Sequence, residues 1–237
     1  MLALLAGVAL ISVQAPCPPD AVALMDQARL YAADFDLRRA ADQLRSAGAR
    51  GCREAEVGAL YLGGLVDARE SFRQGGSPEA LAPVQQAIAA LGMIAQGRPG
   101  PAEITRLMLQ AAAAAAQSER GELRLYVEAA VQMELIQRVA GQSVAPFVPA
   151  VEIAGDLWLL VHQYEDARRA YTYAVEHVGF TARILSGLAR AADRLGDTPE
   201  ACEFFRKLVD HWGARATEPD EILEARAYVG QPVCRSR

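Results

Sequence analysis

Leu159–Val175 reads LLVHQYEDARRAYTYAV, and 34 residues later Asp193–Val209 reads DRLGDTPEACEFFRKLV. A period of 34 residues is typical of repeated helix pairs, in which each pair leaves an apolar face that only the next pair can cover. The repeat therefore predicts an all-α protein built as a solenoid of stacked helix pairs. Aligned in this way, the two stretches match residues of similar type: Ala167 with Ala201, Tyr171 with Phe205, and Val175 with Val209.

A similar unit is found near the N-terminus, in segment 20–48. Its apolar residues fall at helical spacing in two stripes, separated by a turn around Asp34. The pattern predicts a further helix pair. The stripes consist of Leu24, Ala28 and Tyr31, and then of Leu37, Ala40, Leu44 and Ala47.

The middle of the chain is less regular. Helical stripes continue from residue 57 to residue 139, but the last two predicted helices of this stretch do not keep the 34-residue period. The segment AGQSVAPFVP, residues 140–149, is a proline-marked break. We therefore predict N-terminal helical hairpins over residues 17–140, with irregular central helices, and C-terminal repeats with a capping helix over residues 147–234.

The late repeats carry small, aromatic and alanine residues in a recurring order. The first unit has Gly155, Trp158, Tyr164, Ala167, Tyr171 and Ala174, and the second has Ala189, Ala192, Ala201 and Phe205. This order resembles the tetratricopeptide repeat family, over roughly half of the chain. The second unit departs from it, because Ala192 stands where an aromatic is usual and Leu208 where an alanine is usual. The resemblance implies a right-handed solenoid of antiparallel helix pairs.

The resemblance also implies a binding face, because the first helix of each pair lines a concave groove in that family. The lining positions are then Glu152, Asp156, Leu159 and Leu160 in one unit, and Arg183, Ser186, Arg190, Asp193 and Arg194 in the next. Family members that clamp chaperone tails need Lys and Asn at two of these positions. Glu152 and Asp156 stand there, so this ligand class is not expected.

Three arginines share one face of the second groove helix. Arg183, Arg190 and Arg194 are separated by seven and four residues, which places them on one side of a helix. A guanidinium group matches a carboxylate bidentately, so the face suits acidic side chains or the carboxy terminus of a bound segment. The alternative is an ordinary solvated arginine face, partly neutralised by Glu152 and Asp156.

The first 19 residues, MLALLAGVALISVQAPCPP, have no charged side chain. The apolar run Leu2–Val13 fits the core of a secretory signal and is shorter than the ~20 residues that span a bilayer. We predict a signal peptide or N-terminal anchor over residues 1–16, and hence an exported protein, periplasmic or secreted. The alternative is a buried first helix.

Four cysteines lie close to the ends of the chain. Cys17 precedes the first predicted helix and Cys52 follows the second, and these two ends lie side by side in an antiparallel hairpin. Cys202 and Cys234 are placed in the same way around the last helices. We therefore predict the disulfides Cys17–Cys52 and Cys202–Cys234. The alternative is four reduced thiols in a cytosolic protein.

Charge and motifs exclude several classes of function. The formal net charge is −5 and there is no basic tail, so the chain lacks the footprint of a nucleic-acid-binding protein. There is no phosphate-binding glycine loop with lysine, no Gly-x-Ser-x-Gly, no His-Glu-x-x-His and no Cys-x-x-Cys. We therefore predict no catalytic residues, no metal site and no cofactor.

The function that these patterns indicate is an exported, non-catalytic scaffold or adaptor that binds a protein or peptide partner. Two alternatives stay open. One is an enzyme or small-ligand carrier with a pocket between the central helices, around residues 57–140. The other is a structural subunit of an envelope assembly.

Overall fold

The computed structural model describes residues 16–141, 147–215 and 218–235, and within these ranges it is all-α, as predicted. The predicted leader lies outside the described residues, except for Pro16. The described part contains twelve helices: α1 Pro19–Ala33, α2 Leu37–Gly48, α3 Arg53–Arg73, α4 Pro78–Ala95, α5 Pro101–Ala116, α6 Arg120–Val139, α7 Ala150–Leu160, α8 Tyr164–Val178, α9 Ala182–Arg194, α10 Thr198–Trp212, α11 Asp220–Val229 and α12 Pro232–Arg235.

Successive helices α1 to α10 form five hairpins, and four of these share one backbone turn. In each of the four, a single residue adopts a positive φ after the first helix, and the next residue donates its N–H to a carbonyl five positions earlier, at 2.9 Å. These are the features of a Schellman turn, which satisfies the free carbonyls of a helix end. The positive-φ residues are Phe35, Ser118, His162 and Gly196.

The turn recurs where the sequence period does not. Helices α5 and α6 do not keep the 34-residue spacing, yet Glu119 N–H bonds to the Ala114 carbonyl just as Asp197 N–H bonds to that of Ala192. Between α3 and α4 the same bond is present after Gly75, from the Gly76 N–H to the Ser71 carbonyl at 2.8 Å. A second residue with positive φ, Gly76, makes this loop one residue longer. The hairpin is thus regular in the central helices, although their sequence is not.

The first helices of successive hairpins pack side by side, α3 on α5, α5 on α7 and α7 on α9. They share a large apolar cluster that extends from Ala21 to Ala191 and includes the buried run Ala111–Ala116. Phe147 and the buried Val148 join this cluster, and a Cβ on Gly58 would lie only 2.3 Å from the Phe147 ring. Residues on both sides of the 140–149 break therefore belong to one core. The division of the chain at this break stays a prediction.

A second, smaller cluster lies at the C-terminal end. It contains Phe205, Leu208 and Trp212 of α10, together with residues of α9 and α11. Helix α11 covers the last hairpin, as a capping helix does.

The cysteines lie in the predicted pairs. The sulfur atoms of Cys17 and Cys52 are at disulfide distance, as are those of Cys202 and Cys234. The first pair joins the start of α1 to the start of α3, and the second joins α10 to α12. Each pair therefore holds a terminal element of the array.

The first hairpin also contacts the last repeats, which the sequence did not indicate. Arg183 of α9 donates to the Ala32 carbonyl at the end of α1, at 3.2 Å. Arg215 pairs with Asp34 at 2.7 Å, and the ring of Phe35 lies 6.3 Å from that of Trp212, between centroids. The two ends of the array thus meet, and two cavities adjoin this contact.

Candidate binding groove

The larger cavity, which we call the groove, has a volume of about 470 Å³. One side is mainly apolar and comes from α3, α7 and the α1–α2 turn. The other side is mainly charged and comes from α9 and α11. The apolar side includes Phe35, Leu37, Leu65, Ile153, Leu157, Leu159 and Leu160, and the charged side includes Arg183, Arg190, Asp193, Arg194, Glu221 and Glu224.

The structure brings together eight of the nine positions that the resemblance assigned to the concave face. These are Asp156, Leu159, Leu160, Arg183, Ser186, Arg190, Asp193 and Arg194. The ninth, Glu152, does not line the groove. It is buried and lines the smaller cavity instead.

Asp156 connects the repeat signature to the groove. Its carboxylate accepts a hydrogen bond from the Tyr171 hydroxyl at 2.5 Å and from Arg183 at 3.1 Å. Tyr171 is itself fixed, because its ring fills the space that a side chain on Gly155 or Gly187 would need. Asp156 therefore orients Arg183 from a rigid position.

Two of the three groove arginines already have partners within the chain. Arg183 pairs with Asp156 and lies 5.4 Å from the ring of Phe35, and its side chain is only 13% exposed. Arg190 donates twice to Glu224 of α11. Arg194 is exposed and makes no ion pair or side-chain hydrogen bond with another described residue. Of the three, Arg194 is the arginine with an uncommitted charge.

Another uncommitted arginine in the groove lining comes from a different helix. Arg69, on α3, is exposed and likewise makes no side-chain ion pair or hydrogen bond with the described residues. Arg69 was not predicted from the sequence, because α3 lies outside the late repeats. Among the described residues, the groove lining holds four arginines and four carboxylates. Arg69 and Arg194 make no ion pair there, and neither do the carboxylates of Asp193 and Glu221.

Two buried carboxylates lie behind the groove, near the start of α7. Glu152 accepts a hydrogen bond from the Thr181 hydroxyl at 3.1 Å. Burial raises the pKa of its carboxyl to about 7, although Arg183 and Thr181 act in the opposite direction. Glu134, fully buried, accepts from the backbone N–H of Val151 at 3.1 Å and from Arg138 at 2.7 Å.

Neither Glu134 nor its neighbour Tyr61 was predicted as a site residue from the sequence. The Tyr61 hydroxyl is buried without a hydrogen-bond partner in the described structure, and burial raises its pKa well above the usual value. A local signal existed for Glu134, since it precedes Arg138 by four residues on one helix. That spacing does not predict the hydrogen bond that Glu134 accepts from the Val151 N–H of α7.

Within the described ranges, no group of His, Cys, Asp and Glu side chains is arranged to hold a metal ion. The same ranges include no helix that is both long and apolar enough to cross a membrane.

No protein-family model matches the sequence, and no curated protein matches it significantly. Among solved structures, the chain is similar to a tetratricopeptide repeat protein from Parabacteroides merdae, with 18% sequence identity and a TM-score of 0.41 over 90% of this chain and 75% of the other.

Proposed function

We propose that the protein is a non-catalytic interaction module that holds a peptide segment of a protein partner in the groove. The observation that carries this proposal is the combination of an apolar side with two arginines in the same lining, Arg69 and Arg194, which make no ion pair with the described residues. A segment with apolar side chains and a nearby carboxylate would satisfy both features.

Peptide display tests the proposal without a known partner. We expect a library of random peptides, selected on the folded protein, to yield sequences that combine apolar residues with Asp, Glu or a terminal carboxylate. Replacing both arginines, in Arg69→Gln/Arg194→Gln, should weaken the selected peptides about tenfold, because two charge-assisted hydrogen bonds are lost. Added salt should weaken them too.

The matched control is Arg98→Gln/Arg120→Gln, which changes two exposed arginines outside both cavities. This variant should bind the selected peptides as the parent does. Selected peptides without carboxylates, or equal binding by both double variants, would place the interaction on another surface.

We also infer that the protein works in an oxidising compartment, after export. The uncharged leader and the two cysteine pairs support this inference. Thiol labelling of the unfolded protein, purified from its native source and analysed by intact mass, should find no free thiol. Four labelled cysteines would overturn the inference.

A further inference from the structure

The first hairpin meets the last repeats in a small contact, which we call the joint. Its six residues are Ala32, Asp34 and Phe35 of the first hairpin and Arg183, Trp212 and Arg215 of the last repeats. Elsewhere in the array, neighbouring hairpins pack helix against helix. Across the joint, no pair of the described helices packs in this way. The joint is therefore a smaller contact than any between neighbouring hairpins.

The polar contacts of the joint can break without leaving a buried charge alone. The side chains of Asp34 and Arg215 are 39% and 47% exposed, and an exposed ion pair contributes little to stability. Arg183 donates across the joint to the Ala32 carbonyl, but its carboxylate partner, Asp156, lies on its own side in α7. Arg183 therefore keeps its counter-charge when the two ends separate.

The joint also forms part of the wall of the groove. Phe35 and Leu37 line the groove from the first hairpin, and Arg183 lines it from α9. The guanidinium carbon of Arg183 is 5.4 Å from the centroid of the Phe35 ring, so the wall continues across the joint. If the two ends separated, Phe35 and Leu37 would move away from α9, and the groove would be open on that side.

Phe35 has a backbone conformation that a bulky residue rarely adopts. Its φ is 65°, and Gly196 occupies the equivalent position in the last hairpin. Glycine adopts this conformation without strain, whereas a residue with a large side chain does not. The Phe35 ring packs against the C-terminal cluster, on the other side of the joint. A strained residue that makes such a long-range contact indicates a role for that contact.

We propose that the joint opens and closes in the folded protein and thereby controls access to the groove. In the closed form Phe35 and Leu37 complete the groove wall, and in the open form a segment can enter or leave on that side. The link to peptides rests on the function proposed above, whereas the opening itself does not. Because binding and closure are linked, a peptide that contacts both sides of the wall favours the closed form.

The distance between two spin labels measures the opening directly, by pulsed electron paramagnetic resonance. Arg38→Cys on α2 and Asp210→Cys on α10 place the labels on exposed residues outside both cavities, one on each side of the joint. The chain's own four cysteines are paired and take no label. Without any peptide, we expect the parent to show a closed distance and a second, longer one.

Removal of the ion pair should favour the open form. Asp34→Asn/Arg215→Gln breaks this pair without changing the groove lining, and should raise the ratio of open to closed protein about threefold. About 1 M salt should act in the same direction on the parent, because it screens exposed charges. The matched control is Asp20→Asn/Arg50→Gln, which removes an exposed ion pair at the other end of the first hairpin. The control should leave the distances unchanged.

A peptide selected on the groove then tests the link between closure and binding. Added to the spin-labelled protein, it should shift the population towards the closed distance. Asp34→Asn/Arg215→Gln should raise the dissociation constant of the peptide by the factor by which it lowers the closed fraction, because only the closed form has the complete wall. The control variant should bind the peptide as the parent does.

Two results would overturn the proposal. The first is a single distance that is the same in the parent, in Asp34→Asn/Arg215→Gln and at high salt, because the curvature of the array would then hold the ends together without the joint. The second is a variant that opens and still binds the peptide with the affinity of the parent. If no peptide is selected, the proposed function fails, and the spin-label distances still decide whether the joint opens.

Discussion

Tyr171 and Phe205 occupy the same position in two successive hairpins, yet their surroundings differ. Tyr171 is wedged between Gly155 and Gly187 inside the large cluster, and its hydroxyl reaches Asp156 and thereby the groove. Phe205 lies in the small C-terminal cluster, with its ring 4.6 Å from that of Tyr228 on the capping helix. One repeat position thus supports the groove in one hairpin and closes the array in the next.

The largest expected effect is on stability. Tyr171→Ala and Phe205→Ala should each lower the free energy of unfolding by about 3–5 kcal/mol, because each removes a fully buried ring and leaves a cavity. Tyr171→Ala should also weaken the groove peptides, since Asp156 loses its support, whereas Phe205→Ala should not. Denaturant unfolding and peptide titration measure the two effects.

The exposed Glu203 provides the control for these variants. Glu203→Ala, which removes an exposed ion pair with Lys207, should cost less than about 0.5 kcal/mol. Equal unfolding midpoints for Phe205→Ala and Glu203→Ala would contradict the placement of Phe205 in a core.

A smaller expected effect is a change of stability with pH, which arises beside the large apolar cluster and not in the C-terminal one. Glu152 belongs to the region of the large cluster, and its carboxyl faces Arg183, Asp156, Glu134 and Thr181. Because its pKa is raised to about 7 in the folded protein, the folded state binds this proton more tightly than the unfolded state does. Protonation of Glu152 should therefore raise the free energy of unfolding by up to about 3 kcal/mol as the pH falls from about 8 towards 5.

Glu152→Gln isolates this contribution from the other acids. Relative to the parent, the variant should gain stability as pH rises from about 5 to about 8, as measured by denaturant unfolding at each pH. A difference between parent and variant that does not change with pH would show that Glu152 stays charged in the folded protein.

The smallest effect compares the turns of the same two hairpins. His162 and Gly196 occupy equivalent positions with φ of 59° and 80°. A non-glycine residue in this left-handed backbone conformation is destabilised by about 1 kcal/mol, whereas glycine is not. We therefore expect His162→Gly to raise the free energy of unfolding by a few tenths of a kcal/mol up to about 1, and Gly196→Ala to lower it by about 1. Thermal melts of both variants measure this, and a destabilised His162→Gly would mean that the imidazole makes a contribution of its own.

Much of the fold could be predicted because its determinants are local. Helix periodicity and turns describe the hairpins, and antiparallel hairpins bring their ends together, which predicts both cysteine pairs. The equivalent burial of Tyr171 and Phe205 follows from the repeat. The groove positions on α7 and α9 followed from the resemblance.

The contacts between the two ends of the array, and the groove residues outside the late repeats, depend on how far the array curves. No local sequence pattern encodes this curvature. Phe35 and Asp34 contact residues about 150 to 180 positions later, and Arg69 reaches the groove from a helix outside the late repeats. The same holds for Arg190. The sequence left open whether its helix face binds a carboxylate or is solvated, and the structure pairs it with Glu224 of α11.

The shared backbone turn has a consequence for how such a chain can diverge over time. The left-handed residues Ser118 and His162 are 44 positions apart, whereas His162 and Gly196 are 34 apart. Because the bonds of the turn run between backbone atoms, changes of side chain leave the turn intact. Length is added both within a hairpin, as in the 20-residue α6 against the 15-residue α8, and between hairpins, as in residues 140–149. An array of this kind loses its sequence period long before it loses its shape.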